Sequence, residues 1–167
     1  MSFAILLFAL FAGCQIMAAV NDAMTMKIPN WISLALLVGF ILIMPFAWTD
    51  FSTLSSHLMV GFGVFAVAFG MFAAGWLGGG DAKLLAATAF WFQPADLISY
   101  IYVTAIAGGI FAFMLLIGRR YVPVRVVTSP WLQGMFKDKS KMPYGIALAI
   151  GALATLPKSQ IYLNIIG

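Results

Sequence analysis

SFAILLFALFAGCQIMAAVND, residues 2–22, is an apolar run that ends on an acid. Its apolar part, about nineteen residues, is long enough for a helix to cross the hydrocarbon core of a bilayer. No Lys or Arg precedes Lys27, so the run lacks the basic start of a cleaved signal peptide and is expected to stay as a helix. Working outward, comparable runs occupy about 31–48, 56–77 and 97–118. Two shorter stretches, 83–93 (KLLAATAFWFQ) and 143–157 (PYGIALAIGALATLP), are expected to be the fourth and sixth helices. Irregular backbone exposed to lipid would leave its N–H and C=O groups unpaired. The expected fold is all-α, a polytopic membrane protein with about six transmembrane helices. We read residues 1–167 as a single integral membrane domain with a cytoplasmic loop at about 119–142. The tail from Lys158 is too short to cross again and is expected to extend the sixth helix or lie along the interface.

The composition agrees, with 63% apolar and only 8% charged residues, which excludes water as the main solvent. The net charge of +4 does not point to nucleic acid, because the bases are few and sit between apolar runs. Anionic lipid headgroups are the expected counter-charge. Six crossings put Lys27, Lys83, Arg119, Arg120, Arg125, Lys137, Lys139 and Lys141 on one face, eight of the nine bases. By the positive-inside rule that face is the cytoplasm and the N-terminus lies outside. Trp31, Trp48, Trp91, Trp131, Tyr121 and Tyr144 fall at run ends, where interfacial rings are expected. Cys14 is alone, which allows no intrachain disulfide, CxxC pair or thiolate zinc site. No metal or cofactor is expected, and nothing in the sequence sets an oligomeric state.

There are five acidic residues, all Asp: Asp22, Asp50, Asp81, Asp96 and Asp138. In this topology Asp22 ends the first helix and Asp81 starts the fourth, both at the cytoplasmic side. A carboxylate near hydrocarbon is costly and marks function by default, and here each could be the other's partner. Two carboxylates sharing a water suit peptide hydrolysis: one ionised group takes a proton from the water while the other, protonated, donates to the scissile carbonyl. Asp81 could instead cap the fourth helix, with Gly78, Gly79 and Gly80 as a turn. Asp22 is harder to explain structurally, because an anion near a helix C-terminus opposes the macrodipole. The three glycines are expected to allow unusual dihedrals and the approach of a substrate strand. Asp50, Asp96 and Asp138 fall in loops, where solvation explains them, and His57 is expected at the outer interface. Lys27 and Lys83 are candidate membrane or substrate contacts, with lipid anchoring the plainer reading. Pro143 sits where a helix starts, in a first turn that does not need its missing N–H.

Three segments taken in order, Asp22-Ala23-Met24-Thr25-Met26-Lys27-Ile28-Pro29-Asn30, Gly78-Gly79-Gly80-Asp81-Ala82-Lys83-Leu84 and Met142-Pro143-Tyr144-Gly145-Ile146-Ala147, resemble the type IV prepilin peptidase family. The likeness covers nearly the whole chain and is greatest to short members that process Flp or Tad-type pilins. The resemblance implies a bacterial inner-membrane enzyme that cuts the cytoplasmic leader from prepilin-like precursors after a glycine. It implies that Asp22 and Asp81 are the catalytic aspartates, that Gly78 and Gly80 are the glycines of the GxGD element, and that Pro143, Tyr144 and Gly145 shape the site. Longer members start with a cytoplasmic domain bearing two CxxC pairs and often methylate the new N-terminus. The present sequence has no such pairs, so peptidase activity alone is expected. Two rival readings remain: a small proton-coupled transporter, which needs polar groups through the bilayer, and a non-catalytic scaffold of a secretion or pilus machine, which would tolerate loss of either aspartate.

Overall fold

The computed structural model describes residues 2–47, 50–121 and 142–166, and among them it is all-helical. Four helices are long and apolar enough to cross a membrane: α1 (Ser2–Thr25), α2 (Asn30–Ala47), α3 (Phe51–Ala73) and α5 (Pro94–Tyr121). α6 (Tyr144–Thr155) leads through the 3-10 turn Leu156–Lys158 into α7 (Gln160–Ile166) with a bend of 43°, a pair that is long and apolar enough for a crossing only when taken together. The tail from Lys158 is thus helical over Gln160–Ile166 and turned by 43° from α6. Trp48, Trp131, Asp138, Arg125, Lys137, Lys139, Lys141 and most of the expected 119–142 loop lie outside the described residues.

α4 (Gly79–Ala89) departs from a simple span. Its 11 residues rise about 16 Å, half the thickness of the hydrocarbon core. The chain nevertheless runs from one end of the bundle toward the other. Gly80 abuts Ile28 beside the end of α1, whereas the Asp96 carboxylate, just beyond α4, accepts from Gln93 N and from Gln160 N past the far end of α6. The link Phe90–Gln93 that completes this passage is not helical. It survives because Trp91 and Phe92 are fully buried and their N–H groups donate to the Thr88 and Ala89 carbonyls. Non-helical backbone at such depth is tolerated only inside protein.

The ends of α3 show what sets its register. Asp50 accepts from Thr53 N at 2.7 Å and from Thr53 Oγ1 at 2.8 Å, so the helix starts at Phe51 rather than near 56. At the other end Gly75 adopts φ +76, and Gly75 N and Trp76 N donate to Phe72 O and Met71 O, a Schellman closure that stops an otherwise apolar run. Asp50 is thus a cap as well as a solvated residue. The Thr53 hydrogen bonds hold its carboxyl below the usual value of 3.8. A carboxyl lowered on folding stabilises above its unfolded pKa and loses that contribution as pH falls through the folded one. We therefore expect the Thr53 amide to lose hydrogen-exchange protection below about pH 3.8, and Asp50→Ala to remove that dependence.

The earlier start of α3 also carries His57 inward. His57 is fully buried, and its Nδ1 bonds the Phe90 carbonyl at 2.9 Å, which satisfies backbone freed where α4 ends. It is not an interfacial residue. Trp91 departs from the interfacial expectation in the same way: it is fully buried, lies 4.8 Å from Phe11 between ring centroids, and donates from Nε1 to Leu36 O at 3.0 Å. Trp31, Tyr121 and Tyr144 do stand at the surface.

α6 packs between α1 and α5, and small residues let it approach. A Cβ at Gly151 would collide with the Thr104 hydroxyl and lie 3.0 Å from the Tyr100 carbonyl oxygen, which belongs to rigid helix. Gly151→Ala should therefore lower stability by about 1–3 kcal/mol, the usual cost of overpacking, read as a drop in Tm in detergent. Gly108 beside Ala147 and Thr104 beside Gly151 together make α5 antiparallel to α6, so Arg119 and Arg120 in its last turn share the Asp22 end with Lys27 and Lys83.

Candidate active site

Asp22 stands in the last turn of α1, facing the first turn of α6. It is buried, and its Oδ2 accepts the Gly145 N–H at 2.7 Å. That amide is one of the donors that a helix N-terminus leaves without an internal partner. The acid that opposes the dipole of its own helix is thus held by the start of another. The contact also fixes the residue at 145: an added Cβ would lie 2.9 Å from both Cβ and Oδ2 of Asp22. Pro143, buried, is the N-cap residue of α6 with φ −74°, and Tyr144 opens the helix with its ring half exposed.

Asp81 lies in the first turn of α4, where an anion suits the dipole, but it is not the cap. The cap position belongs to Gly78, which has no side chain to offer. The three glycines serve space rather than unusual dihedrals. Gly78 has an ordinary φ of −66°, and among the described residues only Gly75 combines glycine with positive φ. A Cβ on Gly78 would sit 2.8 Å from Asp81 Oδ2, one on Gly79 3.2 Å from the Phe72 ring, and one on Gly80 3.3 Å from Ile28 N. The expected dihedral role is replaced by close approach on three sides: carboxylate, α3, and the α1–α2 link.

That link makes its own sharp turn. Met26 N donates to Asp22 O, and Met26 takes φ 55°, the sole non-glycine in the left-handed region among the described residues. A strained residue of this kind persists only where its surroundings hold it, and such positions cluster at functional sites. Nothing in the residue type announces it. Met26, Lys27 and Ile28 join Asp22, Gly78, Gly79, Gly80 and Asp81 around one cavity of about 280 Å³. Asp81 Oδ1 is buried with no hydrogen-bond partner among the described residues.

A family model described as the type IV leader peptidase family matches residues 9–113, more than half of the chain, including Asp22 and the whole glycine segment. The chain belongs to the type IV leader peptidase family. No curated protein and no solved structure matches it. The family match ends before Met142, so in this leader peptidase family member Gly145 meets Asp22 through geometry alone, with Pro143 and Tyr144 beside it in the chain. Lys83 turns to the rim, where its Nζ donates to Asn30 Oδ1 at 3.0 Å and ties α4 to the start of α2, while Lys27 lines the cavity itself. Asp50 and Asp96 stay away from this cavity. Asp96 is not a solvated loop residue: it is buried in the first turn of α5 and joins that helix to α7 through the Gln160 N–H at 3.1 Å. Among the described residues no group of His, Cys, Asp or Glu could hold a metal ion.

Proposed function

We propose that this chain is a membrane aspartic endopeptidase that removes the cytoplasmic leader from prepilin-like precursors, with Asp22 and Asp81 activating the attacking water. The observation that carries the reading is that two acids from separate helices, 59 positions apart, line one cavity beside the glycine segment. Asp22, already accepting a backbone N–H, suits the ionised role, and Asp81, a half-buried residue whose Oδ1 is buried without a donor among the described residues, suits the protonated one. In the proposed step Asp22 takes a proton from water as its oxygen bonds the scissile carbon, and Asp81 gives its proton to the carbonyl oxygen. Collapse of the resulting diol returns a proton to Asp81, while Asp22 passes its own to the leaving amine. A new carboxyl and a new amine result, and both acids regain their starting states.

The site is proposed to face the cytoplasm of a bacterial inner membrane, with the N-terminus outside, on the grouping of Lys27, Lys83, Arg119 and Arg120 at the Asp22 end. The rival that a structural observation favours is proton transport. Gln15 and Thr88, hydrogen-bonded to each other, and Tyr100 and Thr155 are buried residues with polar groups within the bundle, which the apolar look of the helices did not suggest. Co-expression with a prepilin-like substrate separates the two readings. The peptidase reading expects a gel shift from loss of the leader; an uncut substrate together with proton flux in proteoliposomes would favour transport.

A further inference from the structure

Gln15 precedes Asp22 on α1 by seven positions, and Thr88 follows Asp81 on α4 by seven. Seven residues make nearly two whole helical turns, so each polar residue shares the face of its aspartate and lies about 10 Å further along the helix. α1 runs toward the candidate site and α4 away from it, so both displacements point into the bundle. There Gln15 Nε2 donates to Thr88 Oγ1 at 2.7 Å, and both side chains are fully buried. α1 and α4 otherwise pack against α2 and α6 far more than against each other. The bond is therefore a direct tie between two helices that carry the two acids and have little other contact.

We propose that Gln15 and Thr88 are positioning residues that set the spacing of Asp22 and Asp81, a role that rests on the two-aspartate reading above. The lever is short and stiff. Rocking α4 by about 10° around Thr88 would move Asp81 by about 2 Å, given the 10 Å between them. A misplacement of about 1 Å can already cost on the order of 100-fold in rate. Neither residue touches the cavity, so substrate binding should be spared.

The test compares purified wild type, Thr88→Val, Thr88→Ser, the double variant Gln15→Leu with Thr88→Val, and Asp81→Asn on one leader-bearing substrate. Thr88→Val should lower kcat about 10-fold to 100-fold with KM within about threefold of wild type. Thr88→Ser keeps the hydroxyl and should stay within about threefold in both constants. The double variant is decisive, because replacing both partners of a buried bond by apolar groups restores stability while leaving the spacing unset. It should match wild type in Tm and still show the low kcat. Wild-type kcat in the double variant, or in Thr88→Val, with Asp81→Asn inactive, would overturn the positioning role while leaving the two-aspartate reading intact. Full activity in Asp81→Asn would instead overturn the reading beneath it.

Discussion

Asp22→Asn and Asp81→Asn are each expected to lower cleavage of a prepilin-like substrate by about 10²–10⁴-fold, the range that follows loss of an acid or base. The loss is chemical rather than structural. In Asp22→Asn the new amide keeps a carbonyl oxygen able to accept the Gly145 N–H that now bonds Asp22 at 2.7 Å. At position 81, Oδ1 has no partner to forfeit among the described residues. Both variants should therefore reach the membrane at wild-type level with little change in Tm. The double variant should fall little further than either single one, because groups acting on one water are not additive. A loss that simply multiplied would mean that the two acids work on separate steps or sites.

Gly145→Ala is expected to give the second large effect, a loss of about 10-fold to 100-fold in kcat. The new methyl would lie 2.9 Å from both Cβ and Oδ2 of Asp22, closer than real contacts allow. The Cβ belongs to helix backbone geometry and cannot yield cheaply, so the carboxylate must turn away and the amide bond is lost. Gly78→Ala supplies the comparison. Its methyl would meet only the tip of Asp81, Oδ2 at 2.8 Å, which can rotate, so its effect should be the smaller of the two. Steady-state kinetics on both variants check the order. Gly78→Ala more damaging than Gly145→Ala would contradict the geometry.

The spans were legible in the sequence because the bilayer sets a length: α1, α2, α3 and α5 lie where the long apolar runs lie. Depth was not legible. His57 and Trp91 were read from their places at run ends, and both are fully buried, because α3 starts at an Asp50 cap and α4 stops after 11 residues. Asp96 was misread for the same reason, since its partner is the Gln160 amide, 64 positions away. At the candidate site the residues came out of scarcity, five acids in the whole chain, while their surroundings did not. That Gly78 to Gly80 serve three close contacts, and that α6 supplies a donor to Asp22, are facts of packing that no local pattern encodes. The seven-residue offsets of Gln15 and Thr88 from the acids are visible in the sequence once both acids are placed on one side.

The measurement that bears most directly on the central claim is cleavage of a leader-bearing substrate by the purified protein in lipid bilayers, with the products identified by mass. Wild type is expected to give one cut at the end of the leader, and Asp22→Asn and Asp81→Asn, folded to the same extent, to cut at least about 100-fold more slowly. An intact substrate with folded wild type across several prepilin-like precursors, or an undiminished cut by either variant, would contradict it.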